Sequence, residues 1–75
     1  MGTVLRLSDG NTHPVKLIDI SLSGAALATE VKPPLGSTVT VGQTSGTVVR
    51  HFMGGIAVEF FRAIPVEGFN ENITL

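Results

Sequence analysis

Apolar and polar positions alternate along this chain in short runs, and turn residues separate one run from the next. In Val4–Leu7, alternation places Val4 and Arg6 on one face and Leu5 and Leu7 on the other. Ser8-Asp9-Gly10-Asn11 reads as a turn, because Asp-Gly supplies a positive φ at a central position. The chain then returns as an antiparallel partner starting at Pro14, where a missing N–H costs no ladder bond. Through Pro14–Ile20, strict alternation puts Val15, Leu17, Asp19 and Ser21 on one face, and Lys16, Ile18 and Ile20 on the other. Both faces carry apolar residues, so the pattern leaves open which one is interior. A strand apolar on both sides is usually covered on both, which predicts an outer apolar face at Val15 and Leu17 with another element over it.

Gly24 closes the following turn and Ala25–Thr29 forms the third strand. Val31–Gly36 is a loop, since Pro33 and Pro34 cannot serve an interior ladder. Ser37–Val41 is a fourth strand with Val39 and Val41 inward, and Gly42 to Gly46 is a polar connection. Thr47–Phe52 and Ile56–Phe61 complete the set, joined by a tight reversal at Met53-Gly54-Gly55, with Ile56, Val58 and Phe60 opposite Ala57 and Glu59. None of these links is long enough for a βαβ crossover. Short strands with exposed edges are better closed than open. The expected fold is therefore all-β, a small six-stranded antiparallel barrel.

Past Phe61 the alternation fades. Pro65 suits a first helical turn, but Gly68 and Phe69–Asn72 argue against a long helix. The expectation is one domain over residues 1–75, with the barrel over about 3–61 and a short irregular or one-turn helical tail over 62–75 that packs Phe69 or Ile73 on the barrel.

Composition narrows the function classes. The 75 residues lie below the length at which a single core is comfortably stable, and without cysteine no disulfide or thiolate metal site supplements it. Tyrosine and tryptophan are absent, and Ala25, Ala26, Ala28, Val39 and Val41 imply a small-residue core suited to a narrow barrel. A net charge of −1 with scattered signs offers no surface for a nucleic-acid polymer or anionic lipid. No leader-like opening or membrane-length apolar run occurs, so the expected location is cytoplasmic.

No enzyme constellation emerges. Asp19, Ser21 and His51 are the residue types of a nucleophile–base–orienter set, but no elbow motif frames Ser21. His13 and His51 lack the further ligands that zinc requires, so neither metal nor cofactor is expected. Phe52, Phe60 and Phe61 lie among few charges and read as core rather than as a stacking platform. What remains is Asp19-Ile20-Ser21-Leu22-Ser23-Gly24, an acid, a hydroxyl and a glycine at a strand end. Asp19 and Ser21 either bond their own backbone, as Asx and Ser turns do, or face a ligand.

Asp19-x-Ser21-x-x-Gly24 resembles the D/N-x-S-x-x-G signature of the PilZ domain family, and the resemblance runs from about Val4 to Phe61. It includes Pro33-Pro34-Leu35-Gly36-Ser37, Gly46-Thr47-Val48-Val49-Arg50 and Gly54-Gly55-Ile56-Ala57-Val58-Glu59-Phe60. The resemblance implies a six-stranded barrel acting as a bacterial regulatory module, of a kind that often binds cyclic di-GMP and signals to an effector protein or fused domain. It also implies that Asp19, Ser21 and Gly24 are ligand-binding residues. A carboxylate can accept from the guanine N1–H and N2–H₂ edge, a hydroxyl can bond ligand or phosphate, and glycine lets backbone approach closely. Binding members add an upstream R-x-x-x-R pair whose guanidinium groups grip phosphate and guanine. Arg6 is the only arginine before Asp19 here, and Gly2 occupies its i−4 position. Nucleotide binding by these 75 residues is therefore expected to be weak or absent, with the arginines lying in a preceding segment. The alternative is a non-nucleotide-binding protein-interaction domain of the same fold, using Val15 and Leu17 or the Phe60-Phe61 edge.

Overall fold

The alternating runs pair edge to edge until no edge is left. A computed structural model of the chain describes residues 2–62, and the structural statements below concern those residues. Six strands, β1 (Gly2–Leu7), β2 (Thr12–Ile20), β3 (Gly24–Ala28), β4 (Thr38–Val41), β5 (Thr44–Phe52) and β6 (Gly55–Phe60), form a closed barrel in the order β1-β2-β3-β6-β5-β4. All six pairings, including β4 back to β1, are antiparallel. The expected irregular or one-turn helical tail, with Phe69 or Ile73 packed on the barrel, lies outside the described residues from 63 onward.

Local chemistry sets the reversals. Between β1 and β2, Gly10 takes φ +90°, Asp9 Oδ1 accepts from Asn11 N–H at 2.9 Å, and Leu7 N–H donates to Asn11 O at 2.8 Å. That last bond fixes the ladder parity, so Val4 opposite Pro14 is a pair without hydrogen bonds. Pro14 therefore sits inside β2 rather than starting it, at no cost to the β1 ladder, and β3 pairs no further along than Lys16. The β4–β5 connection is tighter than the expected Gly42 to Gly46. Val41 pairs with Thr44 across a two-residue turn whose first residue, Gly42, has φ +62°, the geometry that suits strand twist. Gly46 thus belongs to β5.

The core is what inward alternation leaves inside: Leu5, Val15, Ala25, Leu27, Val39, Val41, Val48, Ile56, Val58 and Phe60. Three expectations change. Val15 is buried and Leu17 half-buried against the core, so there is no outer apolar face at Val15 and Leu17. Ala26 and Ala28 are not core but half-buried on the outer wall, since their neighbours Ala25 and Leu27 point inward. Phe60 is core, whereas Phe61 is 60% exposed and Phe52 is half-buried outside the core.

Between β3 and β4 the chain crosses one end of the barrel, because β3 pairs with β6 and not with β4. Lys32 ties this crossing down by donating through Nζ to Phe52 O at 2.7 Å and Gly55 O at 2.6 Å. His51 Nε2 lies 2.5 Å from Pro33 O, and Gly36 N–H donates to Val48 O at 2.8 Å.

Candidate functional site

Strand β2 does not keep one parity to its end. Leu17 pairs with Leu27 but Asp19 pairs with Ala26, so Ile18 is an extra residue, a β-bulge. Ile18 is 57% exposed, and beyond it Ile20 packs on the core while Asp19 faces out. Asp19 therefore does not share a face with Val15 and Leu17, as simple alternation expects. The bulge turns the carboxylate from the barrel interior to its outer wall. A second bulge in β5, between Val48 and Arg50, leaves Val49 48% exposed in the same way.

Beyond Ile20 the chain reverses through Ser21–Gly24. Ser21 N–H donates to Gly24 O at 2.8 Å, and Phe60 N–H donates to Ser23 O at 2.8 Å, which anchors the turn to the end of β6. The polar side chains join in. Asp19 Oδ1 accepts from Ile20 N–H at 2.9 Å, and Ser21 Oγ accepts from Ser23 N–H and donates to Gly24 O, each at 3.3 Å. All of these side-chain bonds are solvent-exposed and local. Exposed bonds of this kind hold a turn with little net energy, since water competes for the same groups.

Gly24 is a glycine for a reason that spacing does not reveal. Its φ is not positive, so no left-handed conformation requires it. A Cβ there would stand 2.5 Å from Val58 O, a backbone atom of the neighbouring strand. On the opposite side of β6, a Cβ at Gly46 would collide in the same way with Glu59 O. The sixth strand is thus gripped between two bare backbones.

Together the motif residues rim a shallow pocket of about 180 Å³ on the outer wall, where Asp19, Ser21 and Gly24 meet Ala26 and Ala57. The alanines expose little more than a methyl and backbone, so a flat ligand can lie against the sheet. Asp19 and Ser21 supply a carboxylate acceptor and a hydroxyl at the rim. His51 is not part of this arrangement. It lies on β5, two strands beyond β3, paired with Ile56 of β6, and its ring meets Pro33 O, so Asp19, Ser21 and His51 form no nucleophile–base set. Among the described residues no cluster of three His, Cys, Asp or Glu could hold a metal ion, and no helix is long and apolar enough to cross a membrane.

The described residues thus form a closed antiparallel barrel with a polar strand end beside a shallow pocket. The PilZ domain family model matches residues 1–73, nearly the whole chain, and the protein belongs to that family. It is a family of regulatory binding domains, not of known enzymes. Neither the curated proteins nor the solved structures gave a significant match.

Proposed function

We propose that this chain is a regulatory module of the cyclic di-GMP receptor type, whose ligand seats at Asp19, Ser21 and Gly24. The observation that carries the reading is the gathering of these three residues on the rim of one outer pocket floored by alanines. Asp19 meets the N1–H and N2–H₂ edge of a guanine, for which a carboxylate offers two acceptor oxygens. Ser21 bonds ligand or phosphate oxygen. Gly24 contributes indirectly, by letting β3 lie close enough to β6 to make the floor. The ligand carries two phosphate charges, and a carboxylate at the rim repels them unless cations offset it. Within the 75 residues no R-x-x-x-R pair precedes the motif, so affinity of the chain by itself is low. An arm bearing that pair ahead of β1 supplies the phosphate clamp, and its movement on binding is the signal to an effector protein or fused domain.

Titration calorimetry with cyclic di-GMP tests this directly. The 75-residue chain should give weak or no heat, and a version carrying an R-x-x-x-R arm ahead of β1 should bind. Asp19→Ala should then abolish the signal. An armed chain that stays silent sinks the receptor reading. A protein-interaction role is the second reading, and the 60% exposure of Phe61 favours it. In that case the armed chain stays silent while Phe61→Ser weakens capture of the effector.

A further inference from the structure

The pairing registers carry the motif's row across the sheet as far as β5. On the outer face Asp19 pairs with Ala26, Ala26 with Ala57, and Ala57 with Arg50, one continuous row across four strands. At about 4.8 Å per strand spacing, Asp19 and Arg50 stand roughly 14 Å apart along the barrel surface. One row below, Lys16 pairs with Ala28, Ala28 with Gly55, and Gly55 with Phe52. A Cβ on Gly55 would meet the Phe52 ring at 2.8 Å, so that ring lies against the outer backbone of β6. The Arg50 guanidinium and the Lys32 ammonium each lie 5.8 Å from the ring centroid, within cation–π range. Lys32 is already committed to Phe52 O and Gly55 O, whereas exposed Arg50 has no carboxylate partner among the described residues.

Resting on the receptor reading above, we propose that Arg50 and Phe52 are ligand-binding residues, and that the pocket at Asp19 continues past Ala57 as a trough whose far wall they form. A cyclic dinucleotide seated with one base at Asp19 then lays its other end toward β5. There Arg50 forks onto a phosphate or the guanine O6/N7 edge, and the Phe52 ring offers an apolar edge. The row also accounts for charge. Asp19 and Glu59 border the trough on the motif side, while Lys16, Lys32 and Arg50 border it elsewhere. Arg50 is the one of these cations whose position is fixed by an aromatic ring and whose fork is still open. This is why the bulge at Val49 matters, since it gives Arg50 and Phe52 the outward parity of Ala57 and Gly55.

Two measurements decide the matter. In calorimetry with the armed chain and cyclic di-GMP, Arg50→Gln should weaken binding tenfold or more, and Arg50→Lys should restore part of it. Arg6→Gln on β1 removes the same charge away from the trough and should leave affinity unchanged. An Arg50→Gln protein that is folded by circular dichroism and binds like the parent overturns the proposal while leaving the receptor reading intact. In the second measurement, amide shifts of the 75-residue chain are followed by NMR with cyclic di-GMP at millimolar concentration. Shifts at both Asp19–Gly24 and Arg50–Phe52 are expected. Shifts confined to the motif overturn this inference alone, and no shifts together with a silent armed chain overturn both.

Discussion

Replacing Gly24 with alanine separates a packing role from a ligand-contact role. The added Cβ would sit 2.5 Å from Val58 O and 3.6 Å from Glu59 Cα. The offended atom is a carbonyl in the ladder between β3 and β6, with no rotamer to relieve it. Overpacking of a tight site costs about 1–3 kcal/mol, and an immobile backbone neighbour places this case in the upper half, about 2–3 kcal/mol. A domain of this size has a total stability of roughly 4–11 kcal/mol. At about 4–8 °C per kcal/mol, the midpoint should fall roughly 10–20 °C in a thermal melt followed by circular dichroism. Gly2→Ala is the matched control. It too is a strand glycine, but its Cβ would make only an ordinary 3.8 Å contact with Val15 O, and its melt should stay within about 2 °C of the parent. If Gly24→Ala melts with the control, the two strands are not in the close approach described, and the glycine must then be explained by its ligand. If it melts low, any loss of cyclic di-GMP binding in that variant follows from the displaced floor rather than from a missing contact.

Two further substitutions probe the barrel. Leu27 is fully buried and pairs on both sides, with Leu17 and Ile56, so Leu27→Ala should cost about 2–5 kcal/mol and bring the domain close to its stability limit in urea denaturation. Lys32→Met keeps much of the stem but abandons the carbonyls of Phe52 and Gly55. It should lower the melting midpoint by roughly 4–8 °C, about 1 kcal/mol. An unchanged midpoint would show that the crossing over the barrel end is held by Pro33, Gly36 and His51 without it.

Much of the barrel is legible in the sequence because its signals are local. Asp9-Gly10 and Met53-Gly54 mark reversals through glycines that take φ of +90° and +92°, and inward Val39, Val41, Ile56, Val58 and Phe60 follow from period-two alternation. What the pattern misreads traces to features with no local signature. A bulge adds a residue without changing composition, so Ile18 looks like any strand isoleucine while it reverses the facing of everything after it. The partnership of β3 with β6 is set by the whole closed ring, and the alanines at 26 and 28 can be assigned to the outer wall only once that ring is known. The motif's residue types were visible from spacing. Its row to Arg50 was not, since the two lie 31 positions apart and are joined only through β3 and β6.

The bulge at Ile18 also sets which way the motif's carboxylate faces. With unbroken alternation Asp19 would share the facing of buried Val15, and a carboxylate sent inward among Leu27 and Ile56 would be costly to ionise. The extra residue removes that conflict by turning Asp19 outward while returning Ile20 to the core. Once outside, the carboxylate keeps one oxygen on Ile20 N–H, and its Oδ2 has no hydrogen-bond partner among the described residues. The same exposed bonds that shape Asp19 to Gly24 leave this acceptor at the pocket that Asp19 lines with Ala26 and Ala57, in the row that ends at Arg50. On the proposed receptor reading, such a site takes its selectivity from geometry and its affinity from cations outside the motif, and for that reason the placement of arginine, more than Asp19 and Ser21 themselves, should govern whether the nucleotide binds.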